Sequence, residues 1–204
     1  MLRQLQFVPA LLLAISPVAA QQPVSRSFEL TPLIGNLSYG PYFRGPAGVQ
    51  FSNQSGLGYG AEIHTRLWRN LSAVVGAVHG TSDWTFESVP LLGRVTVSGA
   101  SVWFFDAGLR LAFHLGGPLS GFAQATGGAV RYAADNALIT DEAINLTYSG
   151  GLGLRARIGP TLSLMTMVKD YIASYRSVDD LEAYGVEGQR AHTVAVLFGL
   201  GLGW

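Results

Sequence analysis

The C-terminal segment constrains the fold most, because large and small residues alternate along it without a break. The large set is Val194, Val196, Phe198, Leu200, Leu202 and Trp204. The set between them is Thr193, Ala195, Leu197, Gly199, Gly201 and Gly203. An exposed face in a soluble sheet would be polar instead. The pattern therefore predicts a strand of a narrow barrel, with small residues in a crowded interior and large apolar ones against lipid.

Tight-turn signals divide the remaining chain at nearly even intervals, at Arg69–Asn70, Gly116–Pro118 and Gly159–Thr161. Longer stretches between them predict loops at Tyr39–Ser55, Thr81–Val97, Ala134–Ala143 and Ser174–Arg190. The predicted strands are Phe28–Leu37, Leu57–Trp68, Leu71–Gly80, Ser101–Leu115, Leu119–Tyr132, Asn145–Ile158, Leu162–Ala173 and Ala191–Trp204. The expected fold is thus all-β: an eight-stranded antiparallel up-and-down transmembrane β-barrel. Its even strand number places both termini on the periplasmic side and the long loops outside the cell.

The fourth and sixth predicted strands give the same inside–outside phase. In the fourth, apolar residues from Trp103 to Leu115 alternate with inward Asp106 and Arg110. In the sixth, Arg155 and Arg157 share the inward parity, and no charge falls on the apolar face of either strand. The phases of the first, third and fifth strands stay open. Pro32 cannot donate to a ladder, so we expect a bulge or irregular start in the first strand.

Composition excludes several classes of protein. The chain is 49% hydrophobic and 13% charged, has no Cys, and balances 13 basic against 13 acidic residues. This disfavours disorder, disulfide stapling and nucleic-acid binding. Arg3, a short apolar run and small residues ending at Ala20 predict a signal peptide over residues 1–20. A short N-terminal segment, 21–27, then precedes the barrel, 28–204.

On the strand pattern, the loop asymmetry and the aromatic end, the chain resembles the small eight-stranded outer-membrane barrels, the OmpA-like and OmpX-like transmembrane domains. The resemblance covers residues 28–204. It implies a monomer in the bacterial outer membrane that contacts outer-membrane lipid and lipopolysaccharide. It also implies assembly by periplasmic chaperones and the barrel-assembly machinery. The insertion signal that it implies comprises Phe198, Leu200, Leu202 and Trp204.

Charged residues on the inward parity predict an interior ion-pair network. Its members are Glu62, Arg66, Asp106, Arg110, Arg155, Arg157 and Lys169, and Glu29, His64 and His114 share the parity. Arginine pairs bidentately with carboxylates, and an eight-stranded lumen is narrow enough for side chains to fill it. A proton or ion path, or a ligand site between Glu62 and Arg110, is the functional alternative. Large inward residues such as Phe104, Met165, Met167 and Tyr171 argue against an open pore.

The sequence indicates no catalytic residues, metal site or cofactor. His64 and His114 could share an ion, but a structural role is favoured because no further ligands stand at suitable spacing. His79, with Ser82 and Asp83, comes nearest to an acyltransferase pattern, and His192 has no evident partner. We therefore expect a non-enzymatic barrel with a structural or surface-interaction role in adhesion or envelope integrity. The alternative is a small lipid-modifying enzyme or a narrow carrier of hydrophobic ligands. A soluble calyx is opposed because its apolar face would point inward.

Overall fold

The computed structural model of the protein describes residues 28–44, 50–89, 93–135, 140–174, 187–188 and 190–204. The predicted signal peptide and the segment 21–27 lie outside these residues. The strands are β1 (Phe28–Tyr39), β2 (Phe43–Arg44), β3 (Gln50–Asn53), β4 (Gly56–Arg66), β5 (Leu71–Val89), β6 (Gly93–Gly116), β7 (Leu119–Asp135), β8 (Thr140–Arg157), β9 (Leu162–Ser174), β10 (Glu187–Gly188) and β11 (Arg190–Gly203). Within this part of the chain, no helix is long and apolar enough to cross a membrane.

Eight long strands close into an antiparallel barrel, which confirms the predicted fold. In ring order they are β1, β4, β5, β6, β7, β8, β9 and β11. Each pairs with its chain neighbours, and β11 returns to pair with β1. At the end of this seam the Phe28 amide donates to the Trp204 carbonyl at 3.2 Å, and the Trp204 amide donates to Phe28 at 3.0 Å. Closure leaves the barrel wall without a free edge.

Side chains alternate between a buried interior and an exposed apolar exterior. Inward positions are even-numbered in β4, β5, β6 and β7, and odd-numbered in β1, β8, β9 and β11. The phases left open by the sequence are thereby assigned. Outward apolar residues are widely exposed, as with Leu146 at 68% and Phe198 at 56%. An exterior of this kind has the composition of a lipid-facing surface.

The structure shows no bulge at Pro32, but β1 does start irregularly, because its pairing with β11 is interrupted at Thr31 and Pro32. The register between β1 and β11 is the same on both sides of this residue, with Glu29 opposite Gly203 and Leu33 opposite Gly199. Pro32 faces outward and stays paired in register with Ala61 of β4. Proline removes one backbone donor, but here it does not change the residue count of the strand.

The predicted long loops contain much more strand than the sequence indicates. β5 and β6 run through most of the predicted loop Thr81–Val97, and β7 and β8 extend into the next one. Within the first predicted loop, β3 pairs with β5, β2 pairs with β3, and β10 pairs with β2. Apolar alternation ends where both faces of a sheet meet water, whereas backbone pairing can continue. The hydrophobic pattern therefore marks the end of the apolar belt and not the end of the strand.

The three short turns lie where the sequence predicts them. Leu67 and Trp68 donate backbone hydrogen bonds to Leu71 at 2.9 and 3.0 Å, and Ile158 donates to Leu162 at 3.0 Å. The third turn contains Gly116 and Gly117, with φ of 130° and 54°. Glycine adopts this left-handed region without the steric penalty of a side chain. All three turns lie at the same end of the barrel as Phe28 and Trp204.

Candidate functional site

Four charged side chains meet in the middle of the lumen. Arg110 Nη2 pairs directly with Glu62 Oε2. Lys169 Nζ lies 2.6 Å from Asp106 Oδ2 and 3.4 Å from Glu62 Oε1. All four residues are at most 5% exposed. Two carboxylates thus face two cations, and we call this group, together with Gln124, the central network.

Gln124 is a member that the sequence analysis missed. Arg110 Nε donates to Gln124 Oε1 at 2.9 Å, and Gln124 Nε2 donates to Glu62 Oε1 at 3.0 Å. The side-chain amide of Gln124 therefore links Arg110, which binds its oxygen, to Glu62, which binds its nitrogen. β7 places Gln124 opposite Arg110 in register, but the open phase of that predicted strand hid its inward direction.

Aromatic and sulfur-containing side chains pack around the central network. The rings of Phe104 and Tyr171 stack with centroids 4.3 Å apart, and Lys169 Nζ lies 4.9 Å from the Tyr171 ring centre. Arg110 lies over the Phe122 ring at 4.2 Å, and its Nη1 contacts Met165 Sδ at 3.7 Å. These aromatic rings are almost fully buried. Because Glu62 and Arg110 touch, no space for a ligand lies between them.

A second group lies nearer the short turns. Arg155 Nη2 is 3.1 Å from Glu29 Oε1 and 3.1 Å from His64 Nε2. A guanidinium only donates, so the ring nitrogen of His64 accepts. Glu29 Oε1 also accepts from the hydroxyls of Ser163, at 3.3 Å, and Thr31, at 3.4 Å. Three donors therefore converge on one oxygen of this carboxylate.

Arg66 and Arg157 do not join the ion-pair network in which the sequence analysis placed them. Both are exposed, and neither has an ion pair with any carboxylate that the structure describes. They are the last residues of β4 and β8, at the level where the barrel opens to water. Their parity is inward as predicted, but their position along the strand removes the need for a buried partner.

A cavity of about 100 Å³ occupies this end of the lumen. Its lining residues are Glu29, His64, Arg66, Arg69, Asn70, Ser72, Ala112, Pro118, Ser120, Arg155, Arg157 and Ser163. Four arginines and a single carboxylate thus surround one polar space, which we call the mouth cavity.

The histidines do not form a metal site in the described part of the chain, where no three His, Asp or Glu residues group as ligands. His64 is engaged by Arg155, and His114 is exposed near the short turns. His79 faces outward, with its ring centroid 4.4 Å from Trp103 and 5.0 Å from Tyr59. It belongs to a row of aromatic side chains on the barrel exterior.

His192 has a partner that the sequence analysis missed. Its Nδ1 lies 2.9 Å from Asp170 Oδ2, and both side chains are partly exposed on the outer face near the long end. The outward direction of Asp170 could have been predicted, because successive side chains of β9 point to opposite faces and Lys169 points inward. Nothing in the sequence alone indicated the register that places Asp170 opposite Val194, two residues from His192.

The residues of the proposed insertion signal all face outward. Phe198, Leu200, Leu202 and Trp204 are each exposed by 42% or more. Trp204 also packs against Phe28, with ring centroids 4.9 Å apart. Their part in membrane insertion stays a prediction.

Comparison with solved structures identifies the fold as that of small eight-stranded outer-membrane barrels. Neisserial surface protein A aligns with a TM-score of 0.61 and 11% identity, covering 87% of this chain and 97% of that one. OprG of Pseudomonas aeruginosa aligns at 0.57 and 11%, covering 88% and 97%. The N-terminal barrel domain of P. aeruginosa OprF aligns at 0.52 and 10%, covering 88% and 98%. No family model matches the chain, and no curated protein matches its sequence.

Proposed function

We propose that this barrel is a non-conducting, non-enzymatic outer-membrane protein with a structural or surface-interaction role. Its short turns and termini face the periplasm, and its long end faces the cell exterior. One observation carries the proposal: the central network and the stacked Phe104 and Tyr171 rings beside it are almost fully buried inside the barrel. An ion crossing the barrel would have to pass three buried ion pairs.

The exterior and the long end support this location and role. The outward apolar residues match a lipid-facing belt, while β5 and β6 continue past the residues where the apolar alternation ends. The short strands β3, β2 and β10 pair in that order beside β5. They join the first and last long connections to the hairpin formed by β5 and β6. One protein of the same fold is named a surface protein. A sheet that projects beyond the membrane offers a surface for contact with other molecules.

Electrical recording tests whether the lumen is closed. Purified protein in planar bilayers is expected to show at most rare, small openings. A stable ion-selective conductance in the wild type, lost on Arg110→Ala with folding intact, would make the barrel a channel and overturn the proposal.

Epitope tags test the orientation. A tag inserted between Val89 and Gly93 is expected to bind antibody on intact cells. A tag inserted after Asn70, in a short turn, is expected to bind only after the outer membrane is permeabilised. The reverse result would contradict the proposed topology.

A shortened hairpin separates a surface role from a structural one. Residues 84–97 are replaced by a two-residue turn, and the variant is compared with wild type and with a strain lacking the protein. Loss of adherence with normal resistance to detergent indicates a surface role. Sensitivity to detergent in the strain lacking the protein, but not in the shortened variant, indicates a structural role of the barrel itself. If neither trait changes in either strain, the proposed role is wrong.

The His192–Asp170 pair favours a second candidate function, modification of an outer-leaflet lipid. An imidazole held by a carboxylate is the base-and-orienter arrangement of hydrolytic sites. The register places Ser38 of β1 opposite Val194, on the same face and two residues from His192. Lipid A mass spectra from cells carrying wild type, His192→Ala or no protein would test this. A mass change that requires both the protein and His192 supports the enzyme, and identical spectra exclude lipid A as its substrate.

A further inference from the structure

We propose that the mouth cavity binds a phosphate group, held by Arg66, Arg69 and Arg157. This inference concerns the short-turn end of the barrel. It does not depend on the surface role proposed above.

Charge gives the first argument. Among the described residues that line the cavity, Glu29 is the only carboxylate, and it is engaged by Arg155, Ser163 and Thr31. The three other guanidinium groups have no ion pair with any carboxylate in the described residues. Three positive charges line one small space and repel each other, with water at the exposed side chains screening them in part. A bound anion would relieve that repulsion.

The donor types give the second argument. Guanidinium groups are planar forks that bind phosphate oxygens bidentately, and they act only as donors. Asn70 and Ser72 line the same space and can add neutral donors. The carboxylate that could bind a cation already pairs with Arg155. The lining therefore suits an anionic ligand that is rich in acceptor oxygens.

Size and position narrow the ligand further. A cavity of about 100 Å³ is large enough to hold one tetrahedral oxyanion together with water. The cavity opens beside the short turns, at the level where headgroups of the adjacent leaflet would lie. The phosphate could therefore belong to a lipid headgroup or to a soluble phosphate compound.

Binding measurements with two probes test the proposal. The protein is refolded in a maltoside detergent, which contributes no phosphate. It is then titrated with inorganic phosphate or, separately, with lysophosphatidylglycerol below its micelle concentration. We expect saturable binding that weakens at least tenfold in the double variant Arg66→Gln/Arg157→Gln. Arg131→Gln is the matched control, because Arg131 is exposed on the outer face of β7. Its binding is expected to stay unchanged.

The pattern of outcomes separates the two sources. Binding of both probes, or of phosphate alone, supports a soluble ligand, and binding of the lipid alone supports a headgroup. No saturable binding of either probe by wild type overturns the proposal, as does equal binding by the double variant. The shift in gel migration on heating checks that each variant is folded. If the double variant does not fold, Arg69→Gln in the turn takes its place under the same criteria.

Discussion

The middle of the lumen and its short-turn mouth use the same residue types in opposite ways. In the central network, two carboxylates neutralise two cations, and every charged side chain is buried. Around the mouth cavity, the described lining has four arginines and one carboxylate, which pairs with Arg155, and Arg66 and Arg157 are exposed. Inward parity is common to both regions. The difference shows that distance from water along the strand decides whether a charge must be paired.

Solvation explains this contrast. A charge in the low-dielectric middle of the barrel loses its hydration and needs a partner, whereas water at the mouth screens a charge that has none. Removing one central charge should therefore be destabilising mainly because its buried partner is left without a counter-charge. The mouth charges should contribute little to stability and remain available for binding.

The largest effect is expected for Arg110→Ala. This change leaves Glu62 and Asp106 with Lys169 as their shared cation, and it removes the Arg110 hydrogen bonds to Gln124 and Glu62. The free energy of unfolding should fall by about 3–5 kcal/mol. Urea unfolding in phospholipid vesicles, followed by tryptophan fluorescence, measures it. The double variant Glu62→Gln/Arg110→Gln keeps the Asp106–Lys169 pair balanced and should lose far less. An equal loss in the two variants would contradict the paired-charge account.

A backbone change beside the central network should come next. Gly128 faces inward opposite Asp106, and a Cβ added there would collide with the backbone of Phe105 and Asp106. Gly128→Ala should lower the free energy of unfolding by about 1–3 kcal/mol, because two strands must move apart. Gly150 is the control, since a Cβ there meets nothing within 4 Å. Equal effects of the two alanines would show that the close approach of β6 and β7 does not matter.

Glu29→Gln should have a smaller effect. Glutamine can keep the hydrogen bonds to Ser163 and Thr31 but loses the charge that pairs with Arg155. Because the Arg155 side chain is 22% exposed, water compensates in part, and we expect a loss of about 1–2 kcal/mol in the free energy of unfolding. The same urea titration measures it. A loss of free energy as large as that of Arg110→Ala would show that water solvates the charges at the mouth no better than those of the central network.

The smallest effects are expected for Arg66→Gln and Arg157→Gln. Each removes an exposed charge from a region with excess positive charge, so the free energy of unfolding should change by no more than about 0.5 kcal/mol. Urea unfolding in the maltoside detergent, without phosphate, measures this change in free energy directly. A loss above about 2 kcal/mol would show that these arginines have structural partners after all.

The sequence predicts the barrel well because the apolar belt forces a period of two on every strand. It predicts strand ends poorly where the apolar alternation stops before the backbone pairing does, as in β5, whose predicted end at Gly80 lies nine residues before Val89. The sequence also does not predict which individual side chains pair with each other. Arg110 and Glu62 lie on β6 and β4, which are not adjacent, so their contact depends on barrel size and shear as well as on parity. Asp170 and His192 depend likewise on register.

The seam between β1 and β11 sets an order of events for folding. Glu29 pairs with Gly203, so the contact that closes the ring joins residues separated by nearly the whole described chain. Contacts at this end of the seam have the highest sequence separation among the described residues, and they carry the largest loop-closure entropy. Until it forms, β1 and β11 are two unpaired edges in a medium that offers no water to satisfy them. We therefore expect closure to be all-or-none: a chain shortened by one strand should form an open sheet that pairs with other copies, and not a smaller barrel.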